Sequence, residues 1–171
     1  MSLPVLHGER VTLRQVTEAD LDALVELMQR PGVREWWWEA DDPERMRRGF
    51  SEDIESAYAI EAAGELAGWL GFEEETDPGY MHTGIDIALD PRFQAEGLGP
   101  DAIRTVIRWL AGERGHHRFT IDPSVHNERA IRAYESVGFK PVGLMRRYER
   151  DADGPGFHDG LLMDLLIEEL R

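Results

Sequence analysis

The sequence predicts an α+β fold with one central, mixed but mostly antiparallel sheet of about six to seven strands flanked by about four helices, and three observations predict it. Segments of two-residue polar and apolar alternation, bounded by Gly, Pro and Asp, read as strands. Segments with apolar residues three and four apart read as helices. Their order along the chain is one strand, two helices, an antiparallel run of three strands, then helix, strand, helix and two closing strands.

Residues 9–16 alternate as a half-buried strand does, and Thr17 then stands where it can cap a helix running to Leu27 or Met28. Leu21, Leu24, Val25 and Met28 form the apolar stripe of that helix. After Pro31-Gly32 comes the Trp-rich acidic segment 34–44, followed by a short helix to about Ile54. Strand periodicity returns at 57–61, and Ala63-Gly64-Glu65 turns the chain into a second strand, 66–73. Asp77-Pro78-Gly79 makes another turn, into a strand from Met81 to Leu89. A long helix from about Gly99 to Glu113 presents Ala102, Ile103, Val106, Ile107 and Leu110 on one face. Phe119 to Ile121 is a short strand and Asn127 to Val137 a helix. Phe139 to about Tyr148 and Gly160 to Ile167 are the closing strands, joined by a Gly- and Asp-rich loop. No internal repeat or linker interrupts this order.

With 171 residues, 42% of them apolar, the chain fits one domain over 1–171. No stretch reaches the roughly 18 uninterrupted apolar residues of a membrane span, and the opening lacks a signal-peptide pattern, so a cytoplasmic protein without membrane partners is expected. The absence of cysteine removes disulfides, thiol catalysis and Cys-ligated zinc. No metal is expected from the spacing of the histidines either. A net charge of −15, from 34 acids and 19 bases, repels nucleic acid and attracts cationic partners.

Gln94-Ala95-Glu96-Gly97-Leu98-Gly99 lies between the strand ending near Leu89 and the long helix. Glycines at such a junction let the backbone curl around a ligand, and the first amides of the helix favour an anion such as pyrophosphate. Pro100 suits the first helical position, where its missing N–H costs nothing. The loop is neither a Walker loop nor the three-glycine dinucleotide fingerprint. A second element follows: in Asn127-Glu-Arg-Ala130-Ile-Arg-Ala-Tyr134-Glu-Ser-Val-Gly138-Phe139, Asn127 and Tyr134 are seven apart and share a helical face. Gly138 is then placed to cap that helix before Phe139.

These elements, in this order, resemble the Gln/Arg-x-x-Gly-x-Gly/Ala pyrophosphate loop and the Asn-x-x-Ala-x-x-x-Tyr-x-x-x-Gly-Phe signature of the GNAT N-acetyltransferase superfamily. The resemblance implies the GNAT fold and acetyl-CoA as co-substrate. It implies that Ile87, Ala88 and Leu89 hold the acetyl carbonyl and pantetheine arm through their backbone. It places Gln94, Ala95, Glu96, Gly97, Leu98, Gly99 and Asn127 on the cofactor and makes Tyr134 a proton donor to the leaving sulfur. Tyr134 as a core aromatic and Asn127 as a helix cap alone are the plainer alternatives. Asp86, in Gly84-Ile-Asp-Ile-Ala-Leu89, puts a carboxylate among apolar alternates beside those amides. It is the candidate base or amine-positioning residue, with a solvated place on the outer face the plainer alternative.

Glu73-Glu-Glu-Thr-Asp-Pro-Gly79, Gly84-Ile-Asp86 and Ile121-Asp122-Pro-Ser124 together resemble the aminoglycoside 6′-N-acetyltransferases of antibiotic resistance. That likeness implies that Asp86 and Asp122 face substrate amines, that Trp37 or Trp38 packs on a sugar ring and that Glu73 sits at the rim, with Trp36 the core residue of the three tryptophans. The opening Leu6-His-Gly-Glu-Arg-Val-Thr-Leu-Arg14 is equally similar to ribosomal-protein N-terminal acetyltransferases, which supplies an alternative acceptor. A non-catalytic acyl-CoA- or antibiotic-binding module is the second alternative. Family relatives are monomers and homodimers alike, and both remain open here.

Overall fold

In the computed structural model, which describes residues 2–171, the chain forms one mixed sheet against which four α-helices pack. In chain order the elements are β1 (Leu6–His7), β2 (Thr12–Gln15), α1 (Leu21–Met28), α2 (Pro43–Glu52), β3 (Ala57–Ala62), β4 (Glu65–Glu75), β5 (His82–Leu89), α3 (Leu98–Arg114), β6 (Arg118–Ile121), α4 (Glu128–Val137), β7 (Lys140–Arg150) and β8 (Phe157–Leu166). The sheet order is β1-β2-β3-β4-β5-β6-β8-β7. All neighbours are antiparallel except β5 and β6, which run parallel.

Eight strands stand where the sequence suggested six to seven. The extra one is β1, Leu6–His7, which lies ahead of the predicted strand at 9–16; of that segment only Thr12–Gln15 is strand. The Asp101 carboxylate, buried on α3, accepts hydrogen bonds from the backbone N–H groups of Glu9, Arg10 and Val11. The chain therefore turns between β1 and β2 rather than running straight.

Alternation along the strands sorts side chains into two apolar layers. Leu13, Tyr58, Ile60, Leu70, Phe72 and Ile85 pack with Ala102, Ile103, Val106 and Ile107 of α3. On the opposite face Ala57, Ala59, Trp69 and Ala88 pack with Leu21, Leu24 and Met28 of α1 and Met46 and Phe50 of α2. Each layer removes large aliphatic and aromatic side chains from water, at about 1.5–3 kcal/mol for each one fully buried. This period of two has a functional consequence. On β5, Ile85, Ile87 and Leu89 face the α3 layer, so Asp86 shares the other face with Ala88. On β4 the same rule puts Glu73 on the face of Trp69, while Glu74 turns to the α3 side and meets Arg114 and, at 2.7 Å, His116.

Candidate active site

The loop after β5 is the first half of the site. Ala95 and Gly97 both take the left-handed conformation, at φ 62° and 78°, which bends successive amides inward as an anion cradle does. Helix α3 starts at Leu98, one residue before the expected start, which makes Pro100 its third residue. A proline is tolerated there because the first turn has no internal acceptor to donate to. The Gln94 side-chain amide donates to the Leu89 carbonyl at 2.9 Å and ties the loop to the end of β5.

Beside this loop β5 and β6 separate. They pair only at Thr83 with Phe119 and Gly84 with Thr120, so β5 has no partner on that side from Ile85 onward, and α4 stands across the gap. A cavity of about 310 Å³ follows, lined by Ile87, Ala88, Leu89, Gln94, Ala95, Gly97, Leu98 and Gly99, with Asn127 and Tyr134 from α4. Of the loop residues expected on a cofactor, Glu96 does not line it, and its carbonyl is held by the Arg10 guanidinium. Sequence reasoning missed Gly32, Val33, Arg129, Ala130 and Ala133, which complete the wall. Asn127 caps α4, its Oδ1 accepting from the Ala130 N–H at 3.2 Å, and still reaches the cavity. Gly138 ends α4 at φ 120°, where a Cβ would meet the Glu169 carbonyl oxygen at 2.4 Å.

Ile87, Asn127, Tyr134, Trp36 and Trp37 also line a second, larger cavity of about 950 Å³, so the two spaces meet at the splayed end of β5. The larger cleft brings together Glu73, Asp86, Asp122, Trp37 and Trp38. It adds Glu39, Tyr148, Glu149 and Arg150, which sequence reasoning did not assign to a site. Asp86 lines the cleft and is open to solvent through its mouth, with protein packed around its other sides. Burial pushes its carboxyl up to about 7, and the nearby carboxylates of Asp122, Glu149, Glu39 and Glu73 add to the push. No protein group among the described residues hydrogen-bonds it. The Trp69 indole lies over Gly71, the β4 residue paired with Asp86.

Burial, with Asp86 and Asp122 nearby, holds the Tyr134 phenol above its ordinary range, so it keeps its proton at neutral pH. Asp122, Glu39 and Glu149 are likewise raised, chiefly by burial. The Tyr148 hydroxyl, donating to Asp122, works in the opposite direction.

The tryptophans divide differently from the expectation that Trp36 is the core residue. Trp37 is the one packed on the α1–α2 layer, its ring edge-on to Trp69 at 5.9 Å, while Trp36 is half-buried and lines both cavities. Trp38 carries the guanidinium groups of Arg45 and Arg150 over its ring at 5.1 and 5.7 Å. No helix of the described residues is long and apolar enough to cross a membrane.

Residues 10–140 match the family model of an acetyltransferase (GNAT) domain. The chain is 34% identical over 181 residues to aminoglycoside N(6′)-acetyltransferase type 1 of Klebsiella pneumoniae, covering 92% of this chain and 85% of that protein. It is 28% identical over 143 residues to the N-alpha-acetyltransferase RimI of Mycobacterium tuberculosis, covering 83% of this chain and 86% of that protein. The solved structure of AAC(6′)-Ib in complex with ribostamycin and coenzyme A is similar with a TM-score of 0.74 and 27% identity, over 94% of this chain and 96% of that one.

Proposed function

We propose, from the premise that this chain belongs to the GNAT acetyltransferases, that it transfers an acetyl group from acetyl-CoA to a primary amine of a polycationic acceptor, the 6′-amine of an aminoglycoside. The observation that carries the reading is the meeting of the two cavities. A glycine-cradled slot, with Arg129 the one charged residue in its wall, joins, at the free edge of β5, a cleft lined by Glu39, Glu73, Asp86, Asp122 and Glu149.

The slot suits a pyrophosphate: backbone amides converge in the loop and the α3 dipole adds partial positive charge. Acetyl-CoA supplies an activated acyl carbon there. Ile87, Ala88 and Leu89 offer the backbone of an unpaired strand edge to the acyl oxygen, where donors fixed in advance stabilise developing negative charge. Asp86, at about 7, lies closer to an amine's proton affinity than an ordinary carboxylate at about 4 does. It orients the acceptor amine and takes its proton, directly or through water. Tyr134, kept protonated by burial, gives a proton to the departing sulfur. Both substrates must be present together for this geometry, so transfer is direct within a ternary complex.

The acidic cleft favours an acceptor with several ammonium groups. Each charge-assisted hydrogen bond contributes about 1.5–3 kcal/mol, and a ring or cation on Trp37 or Trp38 about 0.5–2 kcal/mol more. A peptide N-terminus is the second reading, favoured by the likeness to RimI. It carries one ammonium and would leave most of these carboxylates unpaired. Thiol release from acetyl-CoA, measured with kanamycin, tobramycin, spermidine and a panel of N-terminal peptides, tests the proposal. Turnover of kanamycin without turnover of peptides supports it, and the reverse transfers the assignment to the peptide class. Binding of coenzyme A with no thiol release from any amine would make the chain a non-catalytic module.

A further inference from the structure

The Gly- and Asp-rich loop Asp151-Ala-Asp-Gly-Pro-Gly-Phe-His158 holds a cluster of ionisable groups beside the acidic cleft. Glu149 on β7 and His158 on β8 are opposite one another in the ladder. One ring nitrogen of His158, Nδ1, lies 3.0 Å from Asp151 Oδ1. The other, Nε2, is buried, makes no hydrogen bond and lies 3.4 Å from Glu149 Oε2. The loop is shaped around this arrangement: the Asp151 N–H donates to the Gly156 carbonyl at 2.9 Å, and a Cβ on Gly156 would meet Asp151 Oδ2 at 2.3 Å.

A neutral imidazole has one N–H and one lone pair, so between two carboxylates one of its contacts sets lone pair against lone pair. Turning the ring over does not remove the conflict. A proton on both nitrogens does, giving Asp151 a charge-assisted donor and making the 3.4 Å approach of Nε2 to Glu149 attractive. The other charged groups facing Glu149 are acids from three further elements: Glu39 before α2, Asp86 on β5 and Asp122 after β6. Burial and these acids push the Glu149 carboxyl up, and His158 pulls it down. Within salt-bridge reach of Glu149, His158 is the one basic side chain among the described residues.

We propose that His158 is a positioning residue: clamped by Asp151, it faces Glu149 across the hairpin and holds that carboxylate aimed into the cleft, where Glu149 receives a second ammonium of the acceptor. The last clause rests on the polycationic acceptor proposed above; the control of Glu149 by His158 does not.

The experiment is a carbon-13 NMR titration of the side-chain carboxyls in protein labelled at glutamate, with Glu149 assigned by E149Q, repeated in H158Q and D151N. The proposal expects the Glu149 midpoint to rise in H158Q by about one unit, a tenfold change in proton affinity, and to rise less in D151N. In parallel, the KM of H158Q for kanamycin should rise about tenfold with little change in kcat. E149Q should match it, and the double variant should be no worse than either single one. If H158Q fails to fold, D151N alone must still move the midpoint upward. An unmoved Glu149 midpoint overturns the proposal, as do additive losses in the double variant. A moved midpoint in a protein that never turns over kanamycin would leave His158 in control of Glu149 and sink the acceptor assignment instead.

Discussion

The Tyr148 hydroxyl donates a hydrogen bond to Asp122 Oδ2 at 2.5 Å, joining the final hairpin to the loop that leads into α4. It can do so because β7 is irregular. Between Met145 and Glu149 the register with β8 shifts, and Arg147 takes φ 47° while its N–H donates to Asp159 Oδ1 at 2.7 Å. Such a bulge re-aims the residues after it, and both Tyr148 and Glu149 line the cleft. Tyr148 therefore fixes one carboxylate of the cleft. Tyr148→Phe should raise the KM for a polyamine acceptor about fivefold with a small effect on kcat, as loss of one hydrogen bond to a charged group implies. Steady-state kinetics with kanamycin at saturating acetyl-CoA checks this.

Asp86→Asn should lower turnover by about 100-fold, the scale of a lost general base, while coenzyme A affinity is kept. The pH dependence has a definite sign. Because the ionised form is the active one, kcat/KM of the unaltered protein should climb as pH rises through about 7, where Asp86 loses its proton. That limb should vanish in the variant. Stability runs the other way. A carboxyl raised from 3.8 to about 7 on folding holds its proton more tightly in the native state, so its contribution favours the fold in acid and falls away between those values. Asp86→Asn should accordingly melt at a higher temperature than the parent above pH 7, and melting curves at pH 5 and 8 check the difference.

Tyr134→Phe should reduce kcat by about tenfold to 100-fold without weakening coenzyme A binding. Since burial keeps the phenol protonated well beyond neutrality, the parent should show no alkaline fall in kcat from this group near pH 8. A variant that binds coenzyme A poorly would instead mark Tyr134 as a packing residue; calorimetry beside single-turnover kinetics separates the two.

Gly97→Ala tests the cradle. Nothing lies within 4 Å of a Cβ at this position, so the substitution costs only the left-handed φ of 78°. That cost is about 1 kcal/mol for a residue with a side chain, and where the loop relaxes to avoid it the affinity for coenzyme A should fall roughly fivefold. Titration calorimetry reads this directly.

What could be read from the sequence was what is encoded locally. The loop at 94–99 and the helix cap at Gly138 declare themselves through glycines with positive φ, and Asp86 through the period of two in its strand. The hairpin side of the cleft gave no such signal. The bulge places Arg147, not a glycine, at positive φ, and Tyr148 meets Asp122 across 26 residues of chain. The tryptophans were misassigned for a related reason. They lie in two short 3₁₀ turns, Arg34–Trp36 and Trp38–Asp41, hinged at an extended Trp37. No single period runs through such a segment to say which ring turns inward. The late start of β2, at Thr12 rather than residue 9, rests on Asp101, whose carboxylate comes from a helix about 90 residues away.

The central claim is that a polycation sits in the acidic cleft while coenzyme A occupies the adjoining slot. Calorimetric titration of kanamycin into coenzyme A-saturated protein, at low and at high salt, measures that most directly. The account predicts one site, tighter with coenzyme A than without, and weakening as salt screens the carboxylates. No detectable binding of kanamycin to the saturated protein, with an N-terminal peptide bound in its place, would contradict it.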